Sequence, residues 1–265
     1  MMETYIDSRA IISSGVEIGQ GVSIGPCALI EDHVQIGDGT RIDAFASVLR
    51  FTKLGRDNHI YSYACVGGEP QDLKFQGEET WLEIGNRNRI REFATIHRGT
   101  AIGNCYTRIG NNNLLMAYTH VAHDCVLQND IVMSNNASLA GHCEVQTGAI
   151  LGGFAGVHQF VRIGKYSFVG AVSGLAQDLP PWMLASGNRA QVQSPNMVGL
   201  RRHGAGRELM SALKQAFKLV WKSGLPRPDA LIQLEAEYGE LPEIKDFIEF
   251  VKFSQRGITG SDNNC

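Results

Sequence analysis

No apolar run in this 265-residue chain approaches the roughly 20 residues that span a bilayer. The first thirty residues hold no basic stretch followed by an apolar one, so no signal peptide is read. Charge is scarce as well: 19% of residues carry it and the net value is −3, which argues against a nucleic-acid partner or a charged membrane face. The six cysteines (Cys27, Cys65, Cys105, Cys125, Cys143 and Cys265) form no CxxC pair. Scattered thiols in a chain of this length fit a reducing cytoplasm better than a disulfide framework. Eight prolines stand against thirty glycines, and the glycines recur at regular places.

What is present is a clock of six. From Ile6, every sixth residue is aliphatic through Ile12, Ile18, Ile24, Ile30, Ile36, Ile42, Val48, Leu54 and Ile60 to Val66. The pattern resumes at Ile84, Ile90, Ile96 and Ile102, then after one extra residue runs from Ile109 to Leu175. A period of six matches neither the 3.6 of a helix nor the 2 of an ordinary strand. Glycine often follows the aliphatic residue, as at Gly37, Gly55, Gly85 and Gly110, where its tolerance of tight corners is expected to matter. Two positions before the aliphatic residue the side chain is mostly small: Val22, Ala28, Ala46, Ala64, Ala94, Cys125, Ala137 and Cys143. One large and one small inward residue per side predict a narrow triangular prism, with a coil of about eighteen residues and coils stacked about 4.8 Å apart. The pattern resembles the left-handed parallel β-helix of hexapeptide-repeat proteins. The left hand is implied by that resemblance alone.

The clock stops between Gly67 and Glu83, a polar, turn-rich stretch that predicts a protruding loop over 67–83. Val66 and Ile84 lie eighteen apart, so the loop is expected to consume one coil's worth of chain. After Leu175, Pro180 and Pro181 break the pattern, and an irregular stretch is expected to about Gly206. Three amphipathic helices are predicted near 207–223, 229–237 and 243–255, with Gly224 closing the first and Pro228 and Pro242 opening the others. The tail 260–265 reads as frayed. The expected organisation is a mainly β domain over 1–180 and an α-helical domain over 181–265.

Four of the eight histidines fall between residues 120 and 158: His120, His123, His142 and His158. On an eighteen-residue coil, position 123 stacks on 141 and 159, and 124 stacks on 142. His123, the pair Gly141 and His142, and the pair His158 and Gln159 therefore share one edge, with neighbours about 5 Å apart. A lone histidine on a solvated turn is usually decoration; three on one ridge, with His120 close by in sequence, suit proton transfer near neutral pH. Asp124 is a candidate to orient His123, although adjacent strand residues point apart, so a turn or a neighbouring subunit is needed. A metal is the rival reading. The hydratases built on this scaffold carry a His-x4-His pair, which is absent here, and no metal or other cofactor is expected. Phe154, Phe160, Tyr166 and Val172 lie three residues past the inward slot in four consecutive turns. They read as an outward apolar file to be covered by a partner subunit or a hydrocarbon chain.

Several motifs extend the resemblance to one family, the UDP-N-acetylglucosamine O-acyltransferases of lipid A biosynthesis. They are the coil signature from Leu54 to Asn58, the loop from Gln71 to Lys74, and the stretch Asn88–Glu92 leading to Thr95–Thr100. The run continues through Asn113–Met116, His120–Cys125, Leu139–His142, Val157–Phe160 and Ser173–Asp178. The resemblance covers nearly the whole chain and implies the following roles. His123 is the general base on the sugar 3-hydroxyl, Asp124 supports it, and the Gly141 N–H stabilises the oxyanion. Asp72, Lys74, His120, His142, His158 and Gln159 position the sugar, while Asn196 and Arg202 reach the nucleotide. The partners implied are two further copies in a homotrimer with sites between subunits, and acyl carrier protein as donor of a 3-hydroxyacyl group. The acidic carrier would suit Arg201, Arg202 and Arg207. The family pattern has glycine where Ala171 stands, at the floor of the acyl channel, and histidine where Arg189 stands. The first departure bears on acyl length, and the nucleotide contact is not carried over to Arg189. The sister N-acyltransferase, a coenzyme A-dependent acetyltransferase, a zinc hydratase and an inert solenoid are the alternatives. The first has a domain before its coils, whereas these coils begin at Ile6.

Overall fold

Every inward aliphatic position from Ile24 to Leu175 is at most 4% exposed, with one exception, Ile102 at 67%. The small inward positions Val22, Ala28, Ala46, Ala64, Ala94, Cys125, Ala137 and Cys143 are equally buried. Ile6 and Ile12 are less covered because the first coil has a neighbour on one side only. This column is the core of a left-handed parallel β-helix, seen here in a computed structural model that describes residues 3–260. Residues 261–265, most of the expected frayed tail, lie outside the described residues and take Cys265 with them.

Among the described residues, the coils contribute strands of two to four residues to three faces, in sheets of eleven, nine and eight strands. The register between coils is eighteen residues, as in Tyr5 opposite Ser23 and Ile11 opposite Leu29. It widens twice on the first face. His59 pairs with Arg89, thirty residues on, and Arg89 with Leu114, twenty-five on. Two excursions, of twelve and seven residues, therefore leave the column. The first lies between strands Cys65–Gly68 and Trp81–Ile84, which occupy adjacent faces of one coil. It adds chain to a coil and does not replace one, which corrects the expectation from spacing. The second, between Thr95–His97 and Tyr106–Ile109, went unseen because Ile102 happened to fall on the clock.

The glycines after the inward residues serve a different purpose from the one expected. A Cβ on Gly37, Gly55, Gly85 or Gly110 would meet the backbone of the next coil at 2.5–2.6 Å, so they permit close stacking. The left-handed corner itself falls three residues past the inward slot, where nineteen of the twenty non-glycine residues with positive φ among those described lie; Cys105, in the second excursion, is the other. That conformation costs an L-residue about 1–2 kcal/mol. It is offset by a corner hydrogen bond to the coil before, as in Asp57 N–H to Asp38 O at 2.8 Å and His142 N–H to His123 O at 3.0 Å.

A six-residue step moves one third of the way round the prism. Phe154 and Val172 therefore share one corner, while Phe160 and Tyr166 sit on the other two, and the expected apolar file does not exist. A continuous stack does form on the corner between the first and second faces. Phe45, Tyr63, Phe93 and Tyr118 lie ring on ring at 5.2, 5.1 and 4.9 Å. Inside the corner between the third and first faces runs a buried polar ladder. Asn58 Oδ1 accepts from Asn88 N–H at 2.9 Å, Asn88 Oδ1 from Asn113 N–H at 2.9 Å, and Asn113 Oδ1 from Ile131 N–H at 2.8 Å. Their amide nitrogens donate to the carbonyls of Gly85, Gly110 and Gln128, so the buried groups are satisfied.

The stretch after Pro181 is more ordered than its sequence suggested. Met183–Ser186 adds one more parallel rung beside Phe168–Val169, then turns back against Gln191–Pro195. The hairpin leads into α1 (Met197–Arg202), α2 (Arg207–Trp221), α3 (Arg227–Tyr238) and α4 (Pro242–Lys252). Prolines open α3 and α4 as expected. The α2 helix buries Ala212, Leu213, Ala216 and Leu219 and packs on the closing strand. No helix among the described residues is long and apolar enough to cross a membrane.

Candidate active site

His123 stands on the turn from the second face, after strand His120–Val121, to the third, before Val126–Leu127. Asp124 is the left-handed residue of that turn, with φ of 59°. The turn swings its carboxylate back onto its neighbour, which a strand could not do. His123 Nδ1 lies 2.8 Å from Asp124 Oδ2. The carboxylate is fully buried and only accepts when ionised, so Nδ1 carries the proton and the neutral ring keeps its lone pair on Nε2.

Burial pushes the Asp124 carboxyl up, but the hydrogen bonds from His123 and from the backbone and hydroxyl of Thr100, with the His142 charge, outweigh it. The net shift is downward. Oδ1 accepts from Thr100 N–H at 3.0 Å and Asn104 N–H at 3.2 Å, and Oδ2 accepts from the Thr100 hydroxyl at 2.7 Å. All three donors belong to the second excursion.

The next coil completes the edge. A Cβ on Gly141 would lie 2.6 Å from His123 Cε1 and 2.8 Å from Nε2, so the imidazole rests directly on the glycine. The Gly141 N–H has no acceptor among the described residues. The His142 ring stands perpendicular to His123 at 5.1 Å and stacks on Phe160 at 4.5 Å. His120 bonds through Nδ1 to the Thr95 hydroxyl at 2.7 Å. Burial, then the His123 charge, lowers the pKa of His120. Burial also lowers that of His142, against the pull of Asp124, with His123 lowering and Asp72 raising it further. Both rings are neutral hydrogen-bonding groups at neutral pH.

A groove of about 660 Å³ opens on the second face beside this edge. His120, His123, Gly141, His158 and Gln159 line it, joined by Gln71 from the first excursion. Arg189, set aside in the sequence, lines it too. Asp72 and Lys74 lie in that excursion, where Asp72 Oδ1 accepts from Lys74 N–H at 2.9 Å. Two predicted residues lie elsewhere. Asn196 and Arg202 border a separate cavity of about 270 Å³ beside Ile150 and Phe168 on the first face. Asn196 is there committed as the cap of α1, accepting from Gly199 N–H at 3.0 Å and donating to Tyr166 O at 2.9 Å. Ala171 is exposed on the corner between the first and second faces and does not line the groove.

Sequence reasoning missed Thr100, Asn104, His97 and Arg98. Arg98 has a side chain only 3% exposed, pairs with Glu69 at 3.3 Å, and lies over the rings of Phe51 and Phe75, pinning the first excursion to the coil. His97 is buried edge-on against His120 at 4.8 Å. Burial, then the charges of His120 and His123, push its pKa from 6.5 to about 4. The unfolded chain takes up this proton below pH 6.5 and the native state does not until about pH 4. Stability from this group is therefore complete above pH 6.5 and lost as pH falls toward 4, by about 3 kcal/mol at most. Urea titrations at pH 7 and 4.5 are expected to show a smaller acid loss for His97→Gln than for the unchanged protein; equal losses would refute this origin.

One donor of each of His123, Asp124 and His142 lies within 4.8 Å of the others, a spacing a metal ion could use. The Asp124 oxygens already accept four hydrogen bonds, one of them from His123 Nδ1, while His142 Nε2 stands 3.8 Å from Oδ2. The arrangement can serve as a general base with an orienting carboxylate beside an open N–H donor.

A triangular coil carrying such a pair on one edge defines a hexapeptide-repeat transferase. The chain belongs to the UDP-N-acetylglucosamine O-acyltransferase family. A family model described as "Udp N-acetylglucosamine O-acyltransferase; Domain 2" matches residues 178–259. An acyl-[acyl-carrier-protein]–UDP-N-acetylglucosamine O-acyltransferase of Burkholderia lata is 46% identical over 96% of this chain and 99% of its own. That of Alkalilimnicola ehrlichii is 47% identical with the same coverage. Among solved structures, UDP-N-acetylglucosamine O-acyltransferase (LpxA) from Moraxella catarrhalis superposes with a TM-score of 0.94 at 42% identity, over 97% of this chain and 100% of that one. LpxA from Acinetobacter baumannii gives 0.93 at 42% identity, over 96% and 98%.

Proposed function

We propose that the chain transfers a 3-hydroxyacyl group from acyl carrier protein to the 3-hydroxyl of UDP-N-acetylglucosamine, the opening step of lipid A biosynthesis. The observation that carries this reading is the His123–Asp124 pair set against the unpaired Gly141 N–H at the groove. His123 Nε2 removes the proton from the sugar 3-hydroxyl as that oxygen attacks the thioester carbonyl. The oxyanion takes the Gly141 N–H, and Asp124 stabilises the imidazolium. Collapse breaks the C–S bond, and the imidazolium returns its proton to the departing thiolate. The neutral rings of His120 and His142, with His158, Gln159, Asp72 and Lys74, hold the sugar.

Asn196 and Arg202 face away from their own groove, so a neighbouring copy must supply them to the nucleotide. That geometry supports a homotrimer with sites between subunits. In this reading residues 1–180 carry the chemistry, and residues 181–265 supply nucleotide contacts and a basic surface, Arg201, Arg202 and Arg207, for the acidic carrier. A nucleotide sugar and a protein-bound thioester as substrates support a cytoplasmic reaction that needs no cofactor.

Incubation with UDP-N-acetylglucosamine and a panel of 3-hydroxyacyl carrier proteins, followed by mass analysis, tests the reading. Ester formation is expected; no product from any donor would sink it. The family resemblance sets Ala171 at the floor of an acyl channel; on its exposed corner that channel would need a neighbouring copy as its other wall, and Ala171→Gly should shift preference toward longer donors in the same panel. An unchanged length profile would refute the ruler role.

A further inference from the structure

The second excursion is placed where it serves the catalytic carboxylate. It begins at Arg98, is seven residues longer than the clock requires, and comes before the coil that carries His123. Its residues surround Asp124 on the side away from the groove. Thr100 alone supplies two donors, its N–H to Oδ1 at 3.0 Å and its hydroxyl to Oδ2 at 2.7 Å. Asn104 N–H is the third donor, at 3.2 Å. Gly103 lies flat on the carboxylate, with no room for a methyl between them. The loop is fastened internally, because the Thr100 oxygen that donates to Asp124 also accepts from Gly103 N–H at 3.1 Å. From the coil, Asp124 N–H is tied to the Thr107 hydroxyl at 2.8 Å.

A carboxylate with one bond to an imidazole can rotate about its terminal torsion, and the imidazole turns with it. Donors to both oxygens fix that rotation. The Thr100 hydroxyl is the critical one because it shares Oδ2 with His123 Nδ1, at 2.7 and 2.8 Å. It therefore sets where on that oxygen the imidazole can bind, and so where Nε2 points. We propose that Thr100 is a positioning residue for acyl transfer, acting through Asp124 to aim His123, and that residues 98–105 are a cradle built for that carboxylate. This rests on the acyltransferase reading above. It adds that the reaction depends on a hydroxyl that touches neither substrate nor the base.

The test is a double-mutant cycle in the full-length protein, after the unchanged chain has formed ester product. Failure of that first step removes the function reading; the cycle tests Thr100 only relative to it. Thr100→Val keeps the shape and deletes the hydroxyl. It is expected to lower kcat by about 10- to 100-fold, the worth of a hydrogen bond to a charged group, with KM for UDP-N-acetylglucosamine changed by less than about two-fold, the mark of an interaction absent from substrate binding. Thr100→Ser is expected to restore kcat to within about three-fold. In an Asp124→Ala background, Thr100→Val should have almost no further effect, because the acceptor through which it acts is gone. If valine disturbs folding, seen as a lower thermal transition, Thr100→Ala deletes the same hydroxyl and is judged identically. A full-sized effect of Thr100→Val in the Asp124→Ala background, or a rise in KM with kcat unchanged, would overturn the proposal.

Discussion

His123→Ala is expected to lower acyl transfer by about 10²-fold or more, the usual worth of a positioned general base. Folding should be unaffected. The ring is outside the inward column, its backbone carbonyl still accepts from His142 N–H, and the coil's hydrogen bonds are made by main-chain groups. KM for the sugar nucleotide should change little, because His120, His158 and Gln159 still line the groove. Steady-state kinetics with a 3-hydroxyacyl carrier protein, beside a thermal melt, provides the check. Activity within a few-fold of the unchanged protein, in a variant with the same melt, would remove His123 from the mechanism.

Gly141→Ala should be as damaging through a different route. The added methyl would fall 2.6 Å from His123 Cε1 and 2.8 Å from Nε2, closer than real carbon contacts allow. The backbone at 141 is not left-handed, so alanine brings no conformational penalty there. The imidazole must tilt away from Asp124, and the new methyl stands beside the N–H that would receive the oxyanion. Loss of one oxyanion donor alone is worth about 10²- to 10³-fold in kcat, and misalignment of the base adds to it. The variant is expected to melt normally and to bind UDP-N-acetylglucosamine, measured calorimetrically, within a few-fold of the unchanged protein. Turnover above about a tenth of normal would refute the contact between residue 141 and the His123 ring.

Repeat spacing alone was enough to derive the prism, because one large and one small inward residue in six is enforced by a core too narrow for anything else. The same arithmetic brought His123, Gly141 and His142 onto one edge. It failed where the chain left the clock. Ile102 kept time by coincidence while lying on the surface, which hid an excursion whose donors hold Asp124. It also failed for contacts set by corner conformation. The His123–Asp124 bond depends on a left-handed turn that residue types at 123 and 124 do not announce. The apolar file was a counting error in three dimensions, since six residues advance a side chain to a new corner. Asn196 and Arg202 were drawn by resemblance, and one chain keeps them apart from His123.

The buried asparagine ladder has a bearing on how such a scaffold acquires function. Asn58, Asn88 and Asn113 span the two rungs where the register stretches to thirty and twenty-five residues. In a stacked array, stability is approximately a sum over neighbouring repeats, so a long insertion threatens only the joint it interrupts. Side-chain amides clamp those joints at a different corner from the insertions. New loops can then lengthen or change sequence at the catalytic edge without unzipping the column, and chemistry can diversify on one side of a prism whose other side holds its stacking in place.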